Sequence, residues 1–176
     1  MKKNQIITLA TFALITLFQT SPSRAQDKIF HESDEAKAAF LKADGSMNDR
    51  FANAYGYVIF PNVTKAALVV GGAGAEGAVY EKGNKIGTAK LAQVNVGAQV
   101  GGQSYREVIF FENKDALDRF KDNKVEFSGQ VSAIAAKSGA SANAKYTDGV
   151  QVFTHGKGGL MAEASIGGQK FTYKSL

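Results

Sequence analysis

Apolar and polar positions change period several times along the chain, and each change marks an element. Ala36, Ala39 and Phe40 recur at helical spacing behind Ser33, with Asp34 and Glu35 in the first turn, which predicts a short helix over 33–42 capped by Ser33. Asp44 and Gly45 end it. A second helix is predicted over 47–54, where Ser46 and Asp49 have capping-box spacing and Phe51, Ala54 and Tyr55 face inward. From Tyr57 the pattern becomes strand-like. Tyr57 to Phe60 is an apolar run stopped by Pro61-Asn62, and Ala66 to Val70 is another stopped by Gly71-Gly72. Strands over 78–81 and 85–90 flank a hairpin signal at Lys82-Gly83-Asn84. Val94, Val96, Ala98 and Val100 then share one parity, giving a strand with one apolar face.

A strand over 105–111 leads to Asn113, which caps a helix through Asp122 with Ala116, Leu117 and Phe120 as its inward stripe. Val125 to Phe127 is a further short apolar run. Residues 130–145, rich in Ala and Ser, fit a small-faced helix or a packed loop equally well. Segments 150–154, 160–166 and 169–173 close the chain, the last two joined by Gly167-Gly168, which predicts three antiparallel strands in a row.

Composition narrows the chemistry. The 176 residues are 44% hydrophobic and 21% charged, as in ordinary folded domains. With no Cys, disulfides, thiolate-bound metals and cysteine nucleophiles are excluded. His31 and His155 are too few for an imidazole-based metal site, so no metal and no cofactor is expected. Glycine is the outlier: its 19 residues exceed the usual ~7% and predict close backbone approaches along a curved sheet.

Charge first suggests nucleic acid, at a formal +5, but its placement argues otherwise. Lys2 and Lys3 precede an apolar run from Ile6 to Phe18, followed by small residues at Ser23 and Ala25. That is the pattern of a signal peptide cut near Ala25. Residues 1–25 are therefore read as the leader and 26–176 as one domain, exported to the periplasm or associated with the outer membrane. Of the 21 basic residues, Lys2, Lys3 and Arg24 lie in that leader, leaving 18 against 16 acidic ones. Nucleic acid is not an expected partner.

Candidate motifs are sparse. Gly72-Ala73-Gly74-Ala75-Glu76-Gly77 satisfies G-x-G-x-x-G, yet a strand and turn follow it where a dinucleotide site needs a helix. His155-Gly156-Lys157 places an imidazole and an ammonium near a phosphate-sized glycine loop, or on a plain solvated hairpin. Glu76, Glu107 and Glu163 lie near glycine-rich strands, where surface or cross-strand salt bridging is the default. Nothing pairs them for acid–base work, and no nucleophile motif is present, so no enzyme is expected. Lys28-Ile29-Phe30, with Lys37, Phe40, Leu41 and Lys42, mixes basic and apolar residues as an interfacial helix does, although core packing also accounts for Phe40 and Leu41.

The blocks Tyr55 to Ala66, Val69 to Gly77, Val94 to Gln103 and Gly158 to Gly168, in that order and spacing, resemble the SYLF domain family over about residues 34–173. The resemblance implies a lipid-binding module, linked to phosphoinositides and actin in eukaryotic relatives and to secreted or envelope proteins in bacteria. Those eukaryotic relatives often carry a C-terminal Src-homology domain, which is not found here, so lipid contact is carried over and the actin role is not. Thr88 to Ala92 also lacks the Trp and Pro that many members have there.

The expected fold is α+β: a curved, antiparallel, glycine-rich sheet, possibly a partial barrel, packed by short helices. A membrane-spanning barrel is disfavoured because its strands need about 9–11 residues and most predicted ones are shorter. The expected function is non-catalytic binding of phospholipid or another anionic amphiphile in the cell envelope. The residues assigned to the membrane surface are Lys28, Phe30, Lys37, Lys42, Lys65 and Lys157. Hollows beside the glycines would hold acyl chain. The alternative is a structural or protein-interaction domain without a ligand; no motif names a protein partner.

Overall fold

The computed structural model describes residues 22–65, 71–95, 103–125, 133–157 and 168–176. The predicted strands over 66–70 and 160–166, the alternation from Val96 onward, Glu126-Phe127, Gly167 and Glu163 lie outside the described residues. So does all of the leader before Pro22.

The chain order is α1 (Pro22–Ala43), α2 (Met47–Asn53), β1 (Gly56–Lys65), β2 (Gly71–Glu81), β3 (Asn84–Asn95), β4 (Gln103–Phe111), α3 (Lys114–Lys121), β5 (Ile134–Ala135), β6 (Val150–Gly156) and β7 (Gln169–Ser175). The strands form one sheet in the order β5-β6-β4-β1-β2-β3-β7. All neighbours are antiparallel except β5 and β6, which run parallel. Among the described residues the sheet curves without closing into a barrel. β6 and β7, expected to flank a common strand, lie on opposite sides of the sheet, beside β4 and β3 respectively.

Several elements run longer than their sequence signals. α1 begins at Pro22, so Ser33 is an interior helical residue; it is fully buried, and its hydroxyl donates to the Ile59 carbonyl at 3.3 Å. Pro61-Asn62 does not stop β1. Between Ile59 and Thr64 the strand carries one residue more than β2, and between Phe60 and Val63 one more than β4. This bulge places a residue without an N–H where the ladder is already interrupted, and it bends the sheet. β1 to β4 reach 9–12 residues, so short strands no longer argue against a barrel. The stronger argument is that β1 and β4 bury both faces against protein.

Alternation along the strands creates two cores. Val58, Phe60, Val79, Leu91, Ile109, Phe111, Val152 and Phe171 fill the concave side, closed at one end by Leu117 and Phe120 of α3. Asn113 caps that helix by accepting the Ala116 N–H at 3.0 Å, as its position predicts. Tyr57, Ile59, Tyr80, Val108, Phe110 and Phe153 face the other way, onto Ala36 and Phe40 of α1 and Met47 and Phe51 of α2. The predicted hairpin is a two-residue turn. Lys82 and Gly83 both take positive φ, 49° and 80°, between paired Glu81 and Asn84, as a type I′ turn requires.

Glycines also pack tightly rather than leaving hollows. A Cβ on Gly77 would run into the Ile59 carbonyl and stand 2.7 Å from the Phe60 ring. On Gly56 it would lie 2.8 Å from the Tyr80 carbonyl, and on Gly87 it would overlap the Lys174 carbonyl. At these three positions the protein's own atoms fill the space.

Residues 133–146 settle as a packed loop with a two-residue strand, tied to the α1–α2 junction. Buried Asp44 accepts from the backbone N–H of Gly139 at 3.1 Å, of Ser141 at 2.7 Å and of Ser46 at 3.1 Å, and from the Ser46 hydroxyl at 2.5 Å. Arg50 grips the same loop from α2, donating to the carbonyls of Ser141 at 2.7 Å and Ala144 at 2.8 Å. Ser46 heads α2, but its side chain bonds Asp44 and not the helix, so the expected capping box is absent.

Candidate functional site

The residues assigned from sequence to lipid contact are distributed rather than gathered. Lys28 is exposed on α1 and pairs with Glu32 at 3.6 Å. Lys42 is exposed near the other end of that helix. Lys65 is the last residue of β1, and Lys157 follows β6 with its side chain in solvent. Phe30 and Lys37 are half-buried, and both belong to a pattern that the sequence did not reveal.

That pattern is a set of cations resting on aromatic rings. Lys37 Nζ stands 4.7 Å from the Phe51 ring centre and 5.3 Å from that of Tyr57, and it donates to the Tyr57 hydroxyl at 3.2 Å. Lys85 Nζ lies 4.9 Å from the Phe30 ring while pairing with Asp34 at 3.0 Å. Lys82 covers Tyr55 at 5.2 Å. Beneath Lys37 the rings form a packed stack, with Tyr57 and Tyr80 stacked at 4.7 Å and Phe51 edge-on to Tyr57 at 5.1 Å. Burial lowers the Lys37 pKa, partly offset by Asp34. Each ring face attracts the cation above it, and each lysine stem covers apolar surface while its head stays near water.

His155 does not form a phosphate grip with Lys157. Its ring belongs to β6 and packs 6.0 Å from Phe40, with Nδ1 buried. Burial, and then Arg106, push its pKa below the ordinary value, favouring neutral imidazole.

The carboxylates divide three ways. Glu76 makes the expected cross-strand pair, with Lys90 at 3.2 Å. Glu163 lies outside the described residues. Glu107 departs from the surface expectation: it is fully buried on the concave side, where Gln169 Nε2 donates to its Oε2 at 2.9 Å. Tyr105 bonds the same pair, and Gln93 and Thr154 are also buried. The contact between Glu107 on β4 and Gln169 on β7 bridges strands that β1, β2 and β3 separate, so it exists only because the sheet curls. Strand alternation signals which face Glu107 occupies, but on a strand buried on both sides that does not reveal its partner. Burying such a group without hydrogen bonds costs several kcal/mol, which the amide and phenol offset.

Among the described residues no three His, Asp or Glu side chains converge to hold a metal ion. No helix described is long and apolar enough to cross a membrane.

Comparison with known proteins places this architecture. Residues 92–175, which include every member of the buried polar group, match the family model for Ysc84, described as Las17-binding protein actin regulator. The chain is also 32% identical over 166 residues to beta cell expansion factor A of Aeromonas veronii. The chain belongs to the Ysc84, or SYLF, family. The alignment with the Aeromonas protein covers 94% of this chain and 55% of that one, so the SYLF chain described here spans about half the length of that curated relative. In the SYLF family the domain is described as actin-regulator-like, and the fold seen here is its α+β curved sheet.

Proposed function

We propose that this SYLF protein is a non-catalytic binder of anionic phospholipid, or of another anionic amphiphile, at a surface of the cell envelope, reached by export and cleavage near Ala25. One observation carries the reading: the ammonium groups of Lys37, Lys82 and Lys85 sit on aromatic rings along α1 and the β2–β3 turn. Cations held over an aromatic surface suit the boundary between head groups and acyl chains, where stem and ring meet the apolar side and the ammonium meets phosphate. Exposed Lys28, Lys42 and Lys157 add attraction, each near a charged surface worth about 1 kcal/mol. Glu32 and Asp34 offset part of it at Lys28 and Lys85, so binding is weak per molecule and falls with salt.

Co-sedimentation with phosphatidylglycerol–phosphatidylcholine vesicles tests this. The expected result is retention that falls with added salt and falls further when Lys42, Lys82 and Lys157 are changed together to Glu. Equal retention on neutral vesicles, or no change in the triple variant, would remove the electrostatic basis. A second reading, a ligand-free structural or protein-interaction domain, draws on the packing at Gly56, Gly77 and Gly87, which reserves no room for acyl chain. Mass spectrometry of organic extracts from natively purified protein separates the two, since only the first expects a retained amphiphile.

A further inference from the structure

The polar side of α2 faces a cleft that the lipid reading leaves unused. Ser46, Asp49, Arg50 and Asn53 recur at three- and four-residue spacing and so stand in one line, while Met47 and Phe51 point into the core. Across from them stand Ala142, Tyr146 and Glu112, and about 310 Å³ lies between the two walls. That is at the lower end of the volumes of small-molecule sites. Arg50 and Asp44 hold the loop wall through the bonds already described, so the cleft has defined sides.

Its polar groups differ in what remains available. The Ser46 hydroxyl is engaged by Asp44 and Ser141, and Arg50 directs Nε and Nη2 into loop carbonyls. Asp49, Asn53 and Glu112 make no hydrogen bond or ion pair among the described residues. The lining therefore carries two unengaged carboxylates and an amide oxygen, set against one cation already committed to the wall. The half-buried ring of Tyr146 already lies 6.0 Å from the Arg50 guanidinium carbon and adds an aromatic wall.

We propose that this cleft binds a primary ammonium group. Its three N–H donors match the acceptors of Asp49, Glu112 and Asn53, and its charge suits both the carboxylates and an aromatic face. A hard metal ion fits less well, because no third carboxylate or imidazole converges here. The ammonium belongs either to a free amine or to an ethanolamine lipid head group, which share this chemistry. The inference is independent of the anionic surface proposed above.

The test uses the whole protein, isotopically labelled, titrated at neutral pH with ethanolamine hydrochloride, tetramethylammonium chloride and calcium chloride. Ethanolamine is expected to shift amide resonances of residues 46–53 and 142–146. Tetramethylammonium, which has no N–H to donate, is expected to do so far less. Changing Asp49→Asn and Glu112→Gln together should weaken ethanolamine binding by roughly tenfold or more, since two charge-assisted bonds are lost. Both positions are exposed, and each single variant serves if the pair lowers the melting temperature. No shift at these residues, undiminished binding in a folded variant, or displacement of ethanolamine by calcium overturns the proposal. Neutral vesicles with and without phosphatidylethanolamine identify the source: extra retention that requires Asp49 and Glu112 marks the lipid head group, and ethanolamine binding without it marks a soluble amine.

Discussion

Asp44→Asn is expected to weaken the protein by about 2 kcal/mol at neutral pH, with the loss vanishing in acid. Burial by itself would raise the carboxyl's pKa, but side-chain and backbone hydrogen bonds from Ser46 and Ser141 outweigh it and hold it at about 2, against an ordinary 3.8. That difference corresponds to about 2 kcal/mol of preference for the charged form in the folded state. The sign follows directly. A group whose pKa is depressed on folding contributes fully above its unfolded value of 3.8 and loses the contribution as pH falls to about 2. Asparagine keeps the shape and an acceptor but carries no charge, so it removes this term and leaves the fold. For a domain of this size the change lowers the melting temperature by roughly 4–8 °C. Urea unfolding of both proteins from pH 7 to pH 2 measures it directly, and hydrogen exchange at the Gly139 and Ser141 amides reports whether the loop loosens first. Equal urea midpoints at pH 7, or a gap that persists unchanged at pH 2, would refute the assignment of this anchor to the Asp44 charge.

Three further outcomes follow from the same geometry. Glu107→Ala removes the acceptor for the Gln169 amide inside the curved sheet and is expected to cost about 1–3 kcal/mol, read from the urea midpoint; a neutral effect would mean that the buried polar group is not cohesive. Gly77→Ala is expected to lower the melting temperature markedly because its Cβ meets the Ile59 carbonyl, whereas Gly45→Ala, with nothing within 4 Å, is expected to change it little. His155 should titrate by NMR with a midpoint below 6.5. Because its folded pKa is depressed, its contribution is present above 6.5 and declines as pH falls toward the folded value, and His155→Gln should abolish that part of the pH dependence.

The sequence by itself determined whatever depends on near neighbours. Asn113 caps α3 because its oxygen needs only the N–H three residues on, and Lys82-Gly83 turns because those two residues accept positive φ. The two-faced burial of Tyr57 to Phe60 was legible from an unbroken apolar run, and the order of the glycine blocks was enough to place the family. Tertiary structure decided whatever depends on segments that return from far along the chain. Ser33 has the composition of a cap, but packing against Ile59, 26 residues away, made it an interior contact. Glu107 looks like a surface carboxylate until the curled sheet delivers Gln169 from 62 residues further on. Which lysines lie on rings, and how α2 and residues 142–146 enclose a cleft, follow from the same kind of meeting. Local backbone preference is a property of a few adjacent residues, while burial and partnership belong to the whole folded surface, where a bend at Pro61-Asn62 repositions strands carrying no trace of it in their own sequence.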